Sequence, residues 1–238
     1  MKLEIGYNHS FEIRETILEL PSIKPFSVIF ISDLHFNAFS KKICAQLIET
    51  INKLRPDLIL LGGDYVDTNT GLYFFQQLLS ALSLCCPNVF AIAGNHDHFF
   101  GINKIQNLIN KERIGWIEQK SIRVNINGCC IKLDGNKIFP SLAEDALSIL
   151  CMHKPLPFKK LHTQYQLAFA GHLHGCQFVL WENEKGLYPG RYFYVNNIRE
   201  TRNERSVYLI SKGLGDTLPL RYNCKKDILF VNCIPQKS

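Results

Sequence analysis

The stretch AIAGNHDHFF, residues 91–100, decides how this chain is read. An apolar run, VFAIA (89–93), stops at Gly94, and Asn95, His96, Asp97 and His98 follow without a break. A solvated loop would serve equally well with Ser, Asn or Lys. Two imidazoles and a carboxylate at the tip of a buried strand point to chemistry when other strand tips carry the same groups.

Working outward, the same event recurs. Residues 26–32 (FSVIFIS) and 57–63 (DLILLGG) read as buried strands from their β-branched and aromatic content, as do residues 88–94. Residues 40–54 read as a helix capped by Ser40, with Ile43, Leu47, Ile48, Ile51 and Leu54 on one stripe and Pro56 beyond its end. Further helices are expected over 70–84 and 103–112. Strand, helix, strand, helix, strand, helix implies βαβ units and a mainly parallel sheet. The second half is strand-rich. A hairpin spans 120–135 with its turn at Asn127-Gly128, and strands are expected over 146–153, 165–172, 177–181, 206–211 and 227–232. The fold class expected is α/β: a layered α-β-β-α sandwich of two packed mixed sheets flanked by helices. With no repeat, low-complexity tract or long linker, residues 1–238 read as a single domain.

Five of these strands end in Asp, Asn or His: Asp33 and His35, Asp64, Asn95 and His96, His153, and His172 and His174. Five of the eight histidines lie in these tips. In open α/β sheets, ligands bind outside the carboxyl ends of the strands. Asp33/His35 and His172/His174 are i, i+2 pairs, which extended backbone would turn to one face. The donors exceed what one tetrahedral zinc takes. They suit two divalent cations of mixed nitrogen and oxygen preference, such as Mn, Fe or Zn.

The motifs DLH (33–35), GDYVD (63–67), GNHD (94–97), His153 in MHKP, and GHLH (171–174) stand in the order of a known set. In them the chain resembles the calcineurin-like metallophosphoesterase superfamily. The tail VYLISKGLGDTLPLRYNCKKDILFV also resembles that of the subgroup of membrane-associated YkuE- and YaeI-type phosphoesterases. The chain departs from that subgroup at GCQ (175–177), where Gly-Gly-Gln is common, and at Lys226-Asp227-Ile228, where Pro-Glu-Ile is typical.

The resemblance implies a first metal on Asp33, His35 and His174, a second on Asn95, His153 and His172, and Asp64 bridging both. Asp67 is then not a ligand and takes a supporting or turn role. It further implies hydrolysis of a phosphate ester or pyrophosphate bond by a hydroxide shared between the metals. His96 is the expected general acid, with Asp97 holding its ring. The subgroup raises a lipid-linked substrate of the UDP-diacylglucosamine type. Arg221 and Lys154 are candidate phosphate contacts, against an ordinary role as solvated charges. Phe36, Phe99, Phe100 and Trp181 are candidates for an apolar rim, against plain core packing. His98 is left as surface or pocket rim, and His9 and His162 carry no assigned role. The competing reading is a catalytically silent scaffold that uses the fold to bind protein.

Bulk properties are compatible with these expectations. A net charge of +6 suits an anionic substrate or surface without requiring nucleic acid. The absence of CxxC and the placement of many of the nine cysteines in apolar runs suit reduced thiols and a cytoplasmic protein. The N-terminal twenty residues carry four Glu and no continuous apolar core, so neither signal peptide nor transmembrane helix is expected, while peripheral membrane contact stays open.

Overall fold

Runs of Val, Ile, Leu and Phe that are apolar on both faces can be buried only as the inner strands of a covered sheet. The computed structural model of the protein, which describes residues 3–6, 10–21, 23–140 and 147–236, places them so. One six-stranded sheet has the order β2 (Glu12–Leu20), β16 (Asp227–Pro235), β3 (Phe26–Ile31), β4 (Leu58–Leu61), β5 (Val89–Ala91) and β6 (Gly115–Trp116). Strands β3 to β6 run parallel, β16 is antiparallel to β3, and β2 is parallel to β16. The other six-stranded sheet has the order β13 (Glu200–Arg202), β14 (Val207–Ile210), β10 (Leu167–Ala170), β9 (Leu147–Cys151), β8 (Cys129–Gly135) and β7 (Ser121–Ile126). Its four middle strands are parallel and both its edges antiparallel. Two small ladders complete the chain, β1 (Leu3–Ile5) with β15 (Leu220–Tyr222) and β11 (Val179–Asn183) with β12 (Gly186–Pro189).

Alternation along the strands divides the core into layers. Ile29, Ile31, Ile59 and Leu61 face the helices α1 (Lys41–Leu54), α2 (Asn69–Cys85) and α4 (Ile102–Lys111). Val28, Phe30, Leu58 and Leu60 face the second sheet and pack on Ile131, Leu133, Ile149, Leu167 and Phe169. Phe30 and Phe169 stack across this interface with ring centroids 5.1 Å apart. The outer face of the second sheet is covered by residues around a short 3-10 helix, Phe158–Lys160, with Leu161 and Tyr165 packed on Leu150 and Ala168.

The expected α/β sandwich of two mixed sheets is therefore what the chain forms, with local differences. Strand β2 was not anticipated, because Ile13 and Ile17 lie on its exposed face and the Glu-rich alternation masks the pattern. Ser40 does not cap α1 with its side chain; its Oγ instead accepts the Asn37 N–H at 2.9 Å. Helix α2 begins one residue earlier than expected, capped by Thr68. The expected strand over 146–153 is β9, and residue 146 lies outside the described residues.

Truncation of Phe169 to Ala removes a ring from the centre of the intersheet layer. It is expected to destabilise the fold by about 3–5 kcal/mol, read as a lowered denaturation midpoint at unchanged slope.

Candidate metal centre

The carboxyl ends of β3, β4 and β5 in one sheet meet those of β9 and β10 in the other. Backbone bonds tie the tips together. Asp33 N–H donates to Gly63 O at 3.0 Å, His35 N–H to Asp64 O at 3.0 Å, and Gly171 N–H to His153 O at 3.0 Å. Between the sheets, His172 N–H donates to the Asp33 carboxylate at 2.9 Å.

The paired residues reach the site by a route other than the extended backbone expected. Asp33, His35, Asp64, His172 and His174 adopt φ of 53°, 44°, 56°, 72° and 48°. Left-handed backbone at a residue with a Cβ costs of order 1–3 kcal/mol each. Tight turns at the strand tips, rather than the pleat, throw these side chains inward. Close approach needs glycine as well: a Cβ on Gly94 would lie 2.1 Å from Asp64 Oδ1.

Two clusters of the expected ligands result, and a third group, His35, Asp67 and His96, lies beside them. Ligand atoms of Asp33, His35 and His174 lie within 4.8 Å of one another, as do those of Asp64, His153 and His172. Asp64 Oδ2 stands between them, 3.3 Å from His153 Nε2 and 3.7 Å from His35 Nε2. Asn95 Oδ1 lies 2.9 Å from His153 Nε2, and His172 Nδ1 lies 3.2 Å from the same atom. All seven expected positions are therefore brought together.

The imidazoles are aimed. His153 Nδ1 donates to Gly62 O at 2.9 Å, and His174 Nδ1 donates to Gly215 O at 3.1 Å. His35 Nδ1 faces Asp67 Oδ1 at 2.7 Å. Fixing one ring nitrogen by a hydrogen bond leaves the other as a lone-pair donor, the arrangement of metal-ligating histidine. His35 Nε2 is buried with no hydrogen-bond partner among the described residues. An orphaned nitrogen beside two buried carboxylates fits a divalent cation, which both would coordinate.

Electrostatics among these side chains follow from burial and from the two carboxylates. Burial raises the Asp33 pKa above the usual carboxylate range, and the nearby imidazoles only partly offset it. Burial also acts on Asp64, but its hydrogen bond with His153 and the charges of His153 and His35 outweigh it and hold this carboxyl well below normal. For His153, burial is opposed by Asp64 and Asp33, whose contacts push it up to about 9. Burial, His153 and Lys154 depress His172 to about 4, and burial and His35 depress His174 well below normal.

Some expectations are corrected. Asp97 does not hold the His96 ring. At the third position of the short helix α3 (Asn95–Phe100), its buried carboxylate accepts the N–H groups of Gly94 and Asp64 at 2.8 Å and of Tyr65 at 2.9 Å. Asp67 is the carboxylate facing His96, 3.5 Å from its Nδ1. Arg221 is not available to a substrate. It is buried, bonds Asp216 at 2.5 Å, and donates to Gly215 O at 2.7 Å and Lys212 O at 2.9 Å. It thereby shapes the loop whose Gly215 carbonyl fixes His174. Phe36 is core rather than rim, whereas Phe99 and Trp181 are exposed and Phe100 is half-buried. His9 lies outside the described residues.

Two supporting residues escaped the sequence reading. Asn136 Oδ1 accepts the His153 N–H at 2.7 Å, and Glu118 Oε2 accepts the Ala93 N–H at 2.9 Å and an Asn136 Nδ2–H at 2.8 Å. Neither stands in a motif, and Asn136 lies just past the expected hairpin.

Two clefts open from the centre and meet at Asn95. One, of about 270 Å³, is lined by Asp64, His96, His172 and His174, with Tyr194 and Leu218 at its rim. The other, of about 340 Å³, is lined by His153, Lys154, His98, Glu118 and Asn136.

A two-sheet α/β sandwich with His/Asp clusters at the joined strand tips defines a divalent-metal-binding hydrolase class. The model of the calcineurin-like phosphoesterase family matches residues 26–186, and the chain belongs to that family of metal-dependent phosphoester hydrolases. It is 29% identical over 233 residues to phosphodiesterase YaeI of Escherichia coli, covering 88% of this chain and 83% of YaeI. It is 28% identical over 224 residues to the metallophosphoesterase YkuE of Bacillus subtilis, covering 85% and 77%. Three further bacterial relatives are longer, the chain spanning 65%, 63% and 65% of their lengths. The structure of the phosphopantetheinyl hydrolase PptH from Mycobacterium tuberculosis shares the fold at a TM-score of 0.50 and 12% identity, covering 82% of this chain and 94% of PptH.

Because His153 titrates at about 9, it is protonated at pH 7 in the metal-free protein and must lose that proton to ligate. Mn²⁺ affinity should therefore rise with pH between 7 and 9, with proton release seen as a buffer-dependent binding enthalpy. Asp97→Asn should cost about 1–3 kcal/mol in denaturant unfolding, because one buried N–H loses its acceptor. Asp67→Asn, on a part-exposed side chain, should leave stability nearly unchanged.

Proposed function

We propose that the chain hydrolyses phosphodiesters at a dinuclear divalent-cation centre. Asp33, His35 and His174 hold one cation, Asn95, His153 and His172 hold the other, and Asp64 lies between them. The observation that carries this reading is the set of imidazoles pinned at Nδ1 with Nε2 turned toward two buried carboxylates, His35 Nε2 having no hydrogen-bond partner among the described residues. When bound, the cations supply positive charge that activates water and offsets charge on the phosphoryl oxygens.

The chain's own residues supply the rest. His96 is half-exposed in the smaller cleft, with its Nδ1 toward Asp67, and its ring donates the proton taken by the leaving oxygen. Asp67 is shared with His35, so one carboxylate positions both a ligand and the acid. Asp97 acts through the backbone, holding the Gly94 and Asp64 tips in register. The similarity to a protein named as a phosphodiesterase favours a diester over a monoester or a pyrophosphate.

An apolar, lipid-linked arm is supported by the rim of the smaller cleft. Tyr194 and Leu218 border it, and the adjoining Tyr192 and Phe193 are 72% and 79% exposed. Such a run has little reason to stay in water unless apolar material covers it.

Hydrolysis of bis-p-nitrophenyl phosphate should be abolished by chelation and restored by Mn²⁺. On a diester with an alkyl leaving group, which needs the donated proton, His96→Ala should lower kcat by roughly 10²–10⁴-fold with metal content unchanged in elemental analysis. Parallel loss of metal would mean His96 is a ligand. A protein that binds metal yet stays inert with every divalent ion would support the scaffold reading instead.

A further inference from the structure

The two clefts differ in chemistry, and the difference sorts the arms of a diester. His96 lines the smaller, apolar-rimmed cleft, so the arm that departs with the donated proton lies there. The arm that keeps the phosphorus then falls in the larger cleft beyond Asn95. That cleft is built differently. His98 follows Asn95 by three residues on α3, which sets the two side chains on one face. Lys154, exposed directly after the buried His153, lines this cleft, and its charge reaches His172, whose pKa it helps to lower. Glu118 Oε2 accepts from Ala93 N–H and Asn136 Nδ2 at the cleft wall, and Met152 and Leu156 add apolar lining.

We infer that the cleft between Lys154 and His98 is the subsite for the retained arm, and that it selects an arm bearing a second anionic group. The carbon body of the arm lies on Met152 and Leu156, and its distal phosphate or carboxylate takes hydrogen bonds from the Lys154 ammonium and the His98 ring. The inference rests on the phosphodiesterase reading above. It adds which ester bond breaks and what the remaining arm carries.

The test uses two substrates that differ in one group: thymidine 5′-(p-nitrophenyl phosphate) with and without a 3′-phosphate. The leaving group is the same in both. With the Mn²⁺-loaded full chain, the 3′-phosphorylated substrate should have the higher kcat/KM by roughly tenfold, mostly through KM. That ratio should collapse toward one in Lys154→Ala, fall in His98→Ala, and be largely retained in Lys154→Arg. Equal kcat/KM for the two substrates in the wild-type protein overturns the inference, as does a preference that survives Lys154→Ala. If neither substrate is turned over, the phosphodiesterase reading fails by itself. The subsite is then decided by calorimetric binding of thymidine 3′,5′-bisphosphate against thymidine 5′-phosphate. Tighter binding of the bisphosphate, lost in Lys154→Ala, supports the subsite, and equal binding sinks it.

Discussion

Two carboxylates, Asp33 and Asp64, are taken almost wholly out of water where the two sheets meet. Burying such charge is costly unless it is compensated by hydrogen bonds and opposite charge. Much of the surrounding architecture supplies that compensation. The N–H of His172 serves Asp33 and the N–H of His96 serves Asp64. Imidazoles from both sheets close around them, and the contacts of Asp64 and Asp33 push His153 toward its protonated form. A divalent cation is a better match to the same cavity, because it satisfies several donors at once and leaves no nitrogen orphaned.

The supports for this arrangement lie one layer back. Gly62 and Gly215 lend carbonyls to His153 and His174, and Asp67 takes the same role for His35. The carbonyl of Gly215 is itself set by a buried guanidinium, Arg221, which is neutralised by Asp216. A charge that looks like a substrate contact in a linear reading is thus part of the frame. Asp97 is another such case, its carboxylate given to three backbone N–H groups. The left-handed residues at the tips are tolerated because this frame over-determines them.

The residues that flank the centre differ from side to side. One side offers His96 and an aromatic rim, the other Lys154, His98 and a polar wall. The centre itself is shared by a broad family, so discrimination among substrates falls to these flanks. Membership in the calcineurin-like phosphoesterases fixes the class of reaction, and the flanking clefts are where members of such a class can differ.

The sequence by itself determined the strand tips. Apolar runs ending in Asp, Asn or His are local patterns, and their order along the chain sufficed for the βαβ half, the layered class and a set of polar strand tips, from which the family resemblance picked out the seven expected ligands. It also carried the resemblance on which the family expectation stood. Only the tertiary structure decided what each polar group faces. Asp67 and Asp97 lie thirty residues apart in GDYVD and GNHD, and nothing local says which of them meets His96. The same is true of Arg221 beside Asp216, of Asn136 under His153, and of β2 joining β16 across the length of the chain. Hydrophobic periodicity is read from neighbours a few residues away. Hydrogen-bond partners across a folded core are set by the packing of two sheets, and that information is not local to any stretch of the chain.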